Sequence, residues 1–273
     1  MIDIVHKFPE LDAKLIELLQ SLEQEEWNKP TVAKLWAVKD VAAHLLDGNI
    51  RILSGLRDHH HLESPEINSY QDLLDFLNHL NAEWVQSMKR VSPEMLLDLL
   101  EHTGKPYCDY YASLDPFGKA LYPVAWAGEN ESKNWMHIAR DYTEKFLHQQ
   151  QIRDAVGKQG IMSEEYFLPF LEVCMYALPH ALRNAAVVKG SVLKMSIVGE
   201  VNGEWLVRFN GEIWELIDSI PVQSIKTEVT IDSYASWKLF SKSLRYADLK
   251  DKIEIKGDIE LGRIAVDMVS FMA

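Results

Sequence analysis

Residues 132–156 read SKNWMHIARDYTEKFLHQQQIRDAV. Wound at about 100° per residue, the stretch sets His137, Asp141, Glu144 and His148 on one stripe, continued by Gln151. Trp135, Ile138, Tyr142 and Phe146 fall on the opposite one. The spacing predicts a helix, and its polar stripe has two readings. A solvated face is the commoner meaning of such a pattern. The other is a ligand face turned into a helical bundle. Glu144 and His148 are one turn apart and can converge on a single ion, and bundle metal sites draw carboxylate and imidazole from facing helices.

Working outward, helical periodicity dominates the residues before about 160. Leu11, Leu15, Leu18, Leu19 and Leu22 form a stripe that Trp27-Asn28-Lys29-Pro30 interrupts. A second helix is expected from about Val38 to Leu56, with Val41, Leu45, Ile52 and Leu56 inward. His44 sits among these apolar residues, and Gly48 one turn later leaves room beside it. A lone histidine in such a place is more often a core residue than a ligand, so spacing leaves both readings open for His44. A third helix is expected over Ser69–Lys89, with Leu73, Leu77, Leu80 and Trp84 inward. Ser92-Pro93-Glu94 reads as an N-cap with proline at the first helical position, opening a short helix to Leu100. Residues 103–130, with Gly104, Pro106, Pro116, Gly118, Pro123 and Gly128, read as a long irregular crossover. The loop 57–68 carries His59, His60 and His61, read as a surface run that binds metal only adventitiously.

The pattern changes after about 190. Leu193, Met195 and Ile197 alternate with polar residues; Asn202-Gly203 and Asn210-Gly211 mark hairpin turns around Trp205, Val207 and Phe209. Trp214 and Leu216, then Ile225–Ile231, then Lys252–Lys256 read as further strands. Asp232-Ser233 caps a helix expected to hold Trp237, Leu239 and Leu244, and Asp258 caps a closing helix through Met272. Strands in consecutive hairpins with late helices make an α+β domain with an antiparallel sheet. The expected division is therefore a four-helix bundle over 1–160 and an α+β domain over 161–273.

The 273 residues carry 41 acidic against 28 basic side chains, a net charge of −13 spread along the chain. That field disfavours nucleic acid and anionic membrane surfaces as partners. Two cysteines, Cys108 and Cys174, are too few for a disulfide framework and read as buried structural thiols in a reducing compartment. With no signal peptide at the start and no apolar run of about 18 residues, the expectation is a cytoplasmic protein.

The stretch Trp36-Ala37-Val38-Lys39-Asp40-Val41-Ala42-Ala43-His44-Leu45-Leu46-Asp47 resembles the second-helix motif of the DinB-like superfamily, and more closely the N-terminal domain of mycothiol-dependent maleylpyruvate isomerases. Val124–Glu129 and Tyr142–Ala155 are similar to further motifs of that family. Trp205, the Trp237 helix and the Gly257-Asp258 step resemble its second, sterol-carrier-protein-like domain. The resemblance implies a DinB-like bundle holding one divalent metal ion on His44, Glu144 and His148. Zinc suits the N/O ligand set best, with nickel and iron close behind. It also implies a low-molecular-weight thiol cofactor and a small-molecule substrate, a carboxylate in the relatives. Arg153, inside a matched motif, is the candidate substrate-binding arginine. Phe146-Leu147 departs from the aromatic-His pair common in the family; His137 and Asp141 are not family ligands and are expected to face solvent. Three functions stay open: a thiol-using isomerase or transferase, a metal-dependent hydrolase, and a small-molecule or lipid-binding protein with a structural metal.

Overall fold

Apolar stripes at helical spacing become buried faces in the computed structural model, which describes residues 1–60, 65–221 and 225–271. These divide into two units: Met1–Tyr122 with Ser132–Ile161, and Pro123–Glu131 with Met162–Phe271. The first is helical. In α1 (Phe8–Gln20), Phe8, Leu11, Leu15, Leu18 and Leu19 are buried. The chain then enters α2 (Val38–Arg51), which continues into a π-helical turn, Ile52–Arg57. Ser69 caps α3 (Tyr70–Met88) by accepting from the Asp72 N–H, and Ser92 caps α4 (Pro93–Ala112) by accepting from Met95. Leu15, Leu18 and Leu19 of α1 join Val38, Val41, Leu45 and Leu46 of α2, Leu96 and Leu100 of α4, and Ile152 in one core cluster.

Here α4 departs from expectation, running on through residues 103–112, which read as irregular crossover because of Gly104 and Pro106. Tertiary packing overrides both residues. Leu96, Leu100, Gly104, Tyr107 and Tyr111 are buried at spacings of four, four, three and four, a continuous helical stripe. Gly104 is required by close approach: a Cβ there would collide with the Asp12 carboxylate of α1.

The larger difference lies in α5 (Asn134–Val156). From Met136 to Arg153 every residue is buried except Arg140 and Glu144. The polar stripe is therefore no solvated face. Its groups are paired instead: Asp141 accepts from Tyr107 (3.3 Å), Tyr111 and Arg140 (2.8 Å), and Lys145 pairs with Asp12 (3.0 Å) and donates to Asn49 (2.8 Å). Such partners offset the cost of burying polar side chains.

The second unit opens with helices α6 (Glu164–Met175) and α7 (Ala177–Leu182), a region the periodicity left unassigned. Its strands are β1 (Val192–Val198), β2 (Gly203–Phe209), β3 (Trp214–Ile217), β4 (Thr227–Asp232) and β5 (Ile253–Gly257), ordered β3-β2-β1-β4-β5. The β2–β3 turn is held by Asn210, whose Oδ1 accepts from the Glu212 and Ile213 N–H groups. The antiparallel-sheet expectation is corrected at one pair: β4 runs parallel to β1, Leu193 opposite Thr227. β1 is the central strand, buried on both faces over most of its length, so it needs a neighbour on each side. Alternation marks its faces but does not encode the direction of the second neighbour. The helices α8 (Ser233–Phe240) and α9 (Ile259–Val266) start at their Asp232 and Asp258 caps and end earlier than expected, so Leu244 lies outside α8. Gly257, at φ +85°, is irreplaceable: a Cβ there would strike the Lys226 carbonyl.

Candidate metal centre

The N-terminus of α2 is anchored without a Ser or Thr cap. The Asp40 carboxylate accepts from the Ala37 N–H (3.0 Å) and binds Lys89 Nζ (2.6 Å), fixing the first turn. His44 follows one turn later. Across from it lies α5, with His44 beside His148 and Asn49 bonded to Lys145. Numbering rises along one helix as it falls along the other, so the two are antiparallel. The buried Lys145–Asn49 bond fixes this register, and the Lys145–Asp12 ion pair ties the same turn of α5 to α1.

In that register His44, Glu144 and His148 each offer one ligand atom, all within 4.8 Å of one another. The two imidazoles meet edge to face, with centroids 4.6 Å apart, and Trp36 packs 4.9 Å from His44. Zinc–donor distances of about 2.0–2.2 Å put tetrahedral ligand atoms roughly 3.4 Å apart, so the widest pair needs to close by no more than about 1.4 Å.

Two features fit a cation. His44 Nδ1 is buried with no hydrogen-bond partner. His148 Nδ1 lies 2.9 Å from Gln151 Oε1, and its Nε2 lies 3.2 Å from Glu144 Oε2. An amide oxygen only accepts, so Nδ1 carries a proton, and Nε2 is the atom turned toward the Glu144 carboxylate. At 3.2 Å this contact takes either an Nε2–H proton or, with that proton displaced, a metal ion bound by both atoms. Gln151 thereby sets tautomer and ring orientation, as outer partners of metal-ligating histidines do. Burial, with the nearby positive charges of His148 and Arg51, holds the His44 pKa well below the usual imidazole range and keeps the ring neutral.

The family model of the mycothiol maleylpyruvate isomerase N-terminal domain matches residues 8–153. The chain belongs to that family. Crystal structures of the mycothiol-dependent maleylpyruvate isomerase and of a histidine-to-alanine mutant of it share the fold, with TM-scores of 0.54 and 0.55. Each is 9% identical over 92% of this chain and 90% of the other. No curated protein matches the sequence. Among the described residues no helix is long and apolar enough to cross a membrane.

Other residues of this family member depart from expectation. His137 and Asp141, expected in solvent, are 3% and 8% exposed. They belong to a buried network in which Arg140 approaches His137 Nε2 (3.4 Å) and bonds Asp141. Arg153 donates to the carbonyls of Gln159 (2.6 Å) and Lys14 (3.0 Å), tying the end of α5 to α1. Cys108 and Cys174 are buried and unpaired, with burial pushing the Cys108 thiol up to about 11. His59 and His60 are exposed, and His61 lies outside the described residues. The sequence reading missed the role of Gln151, although its place one turn beyond His148 is the ordinary spacing for such a hydrogen bond.

Proposed function

We propose that this protein is a divalent-metal enzyme that holds zinc on His44, Glu144 and His148 and activates a low-molecular-weight thiol to isomerise, or transfer sulfur to, a small carboxylate substrate. In this reading the first unit is a DinB-like four-helix bundle, the second is sterol-carrier-like, and the buried, unpaired cysteines suit a reducing cytoplasm. One observation carries it: a buried imidazole nitrogen without a partner on His44, with ligand atoms of His44, Glu144 and His148 all within 4.8 Å of one another.

When bound, the ion supplies Lewis acidity that lowers the pKa of a thiol or water in the fourth position left by three protein ligands. Two neutral imidazoles and one carboxylate cancel only one of its two charges, so the site favours an anionic fourth partner such as a thiolate. Gln151 keeps the His148 lone pair aimed at Glu144. Trp36 covers the imidazole pair with apolar surface, which strengthens every charge interaction beneath it. The solved relatives are described as mycothiol-dependent, which supports a thiol of that class. Arg153 stays a packing residue here, its donors engaged by backbone carbonyls.

Elemental analysis of the purified protein tests the premise. One zinc per chain is expected in the wild type, with little in His44→Ala and His148→Ala at unchanged circular dichroism. Full metal content in both variants ends the metal reading. Turnover that requires added thiol supports the isomerase or transferase assignment. Hydrolysis without thiol points to a hydrolase, and co-purified lipid without turnover to a binding protein.

A further inference from the structure

Beyond the triad, α2 turns from packed to open. His44, Gly48 and Arg51 share one face at i, i+4 and i+7, and Gly55 follows in the π-helical turn. His44 and Gly48 are half-buried and Arg51 is exposed. The Asn49–Lys145 bond sets this part of α2 opposite the Glu144 turn of α5. The face therefore leads outward from the three ligands.

Its glycines have no packing reason to be glycine. Among the described residues a Cβ at Gly48 or Gly55 would meet no atom within 4 Å, and neither has the positive φ that favours glycine. Glycine inside a helix costs about 1 kcal/mol relative to alanine, so two on one face preserve space at the expense of stability.

Arg51 stands over that space. Helical side chains lean toward the N-terminus, and Arg51 does so: its Nε lies 3.3 Å from Asp47 Oδ2, one turn back toward His44. Its NH2 reaches Asn81 Oδ1 at 3.3 Å, and no described residue bonds NH1. The other arginines of this unit near the pair are committed. Arg140 closes Nε and NH2 on Asp141, Arg57 closes its fork on Asp58, and Arg153 is bound to carbonyls. Seven residues of helix rise about 10 Å from His44 to Arg51, the length of a small organic acid together with a ligating group.

We infer that Arg51, with the space kept by Gly48 and Gly55, is the carboxylate-binding end of a pocket whose other end is the His44–Glu144–His148 triad. The inference rests on the metal reading for what lies at that other end. The anion is a planar carboxylate, taken by the free edge of the guanidinium.

Maleate, a small cis dicarboxylate, is the probe, titrated calorimetrically into zinc-loaded protein, with neutral maleamide and inorganic phosphate as controls. Arg51→Gln is expected to weaken maleate about 10- to 100-fold, Arg51→Lys less, and Gly48→Leu to abolish binding by filling the space. Zinc content should stay that of the wild type in all three variants, and so should the melting temperature of the two Arg51 variants, while Gly48→Leu should melt no lower than the wild type. Equal maleate affinity in the wild type and Arg51→Gln overturns the subsite, as does full affinity in Gly48→Leu. Phosphate bound as tightly as maleate overturns the carboxylate assignment. Failure of the wild type to take up zinc removes the metal reading alone, because the Arg51 dependence of maleate binding in chelated protein still decides the subsite.

Discussion

Acidification should destabilise this protein through His137, and the size of the loss follows from its surroundings. Burial, reinforced by the positive charge of Arg140, lowers its pKa from the usual 6.5 to about 4. Arg140 NH2 faces the Nε2 lone pair at 3.4 Å, so protonation would set two cations together inside the bundle. Between those two values the unfolded chain binds a proton that the folded chain refuses. Stability is then fully present above the ordinary imidazole pKa and is lost as pH falls toward the folded one. At 1.36 kcal/mol per pKa unit, the linkage amounts to about 2 kcal/mol between pH 7 and about pH 5, and about 3 kcal/mol by roughly pH 4. Urea unfolding of the chelated protein across this range measures it, with His137→Gln as the comparison. The variant keeps a polar side chain of similar size but does not titrate, so other groups cancel in the difference. Wild type and variant should diverge by those amounts as pH drops. Parallel stability curves for the two proteins would refute the reasoning.

Other outcomes follow from the same contacts. Lys145→Met should cost about 1–3 kcal/mol in chemical denaturation, because it removes the charged partner of the partly buried Asp12 carboxylate and of Asn49. Gln151→Ala should weaken zinc about 10- to 100-fold in a competition titration with a chelator, while Gln151→Glu retains affinity, since either acceptor fixes the His148 tautomer. Asp258→Ala should remove the α9 cap, which accepts from the Leu261 N–H at 3.0 Å, and lower stability by about 1 kcal/mol in thermal melts.

Much of the architecture was legible because the relevant signals are local. Leucine stripes, the Ser92 cap, the Asn210-Gly211 turn and the Asp232 and Asp258 caps each act within a few residues, and all appear where their chemistry puts them, whereas Gly203, expected in a turn, is the first residue of β2. The misreadings share one cause. Gly104 and Pro106 are helix breakers in isolation, yet α4 runs through them because Tyr107 and Tyr111 bury against Phe8 and Asp141. The polar stripe of α5 carries the composition of a wet surface, and only its distant partners make it an interior one.

From one-dimensional information came the elements, their inward faces, and the family motifs that single out His44, Glu144 and His148. Hydrophobic periodicity and capping are short-range effects that leave a periodic trace in the chain. Tertiary structure alone decided that α5 is buried nearly all round, that β4 lies parallel to β1, and that Gln151 bonds His148 beside Glu144 and His44. Each of these depends on groups far apart in sequence meeting in three dimensions, and pairing between distant helices or strands leaves no period to read.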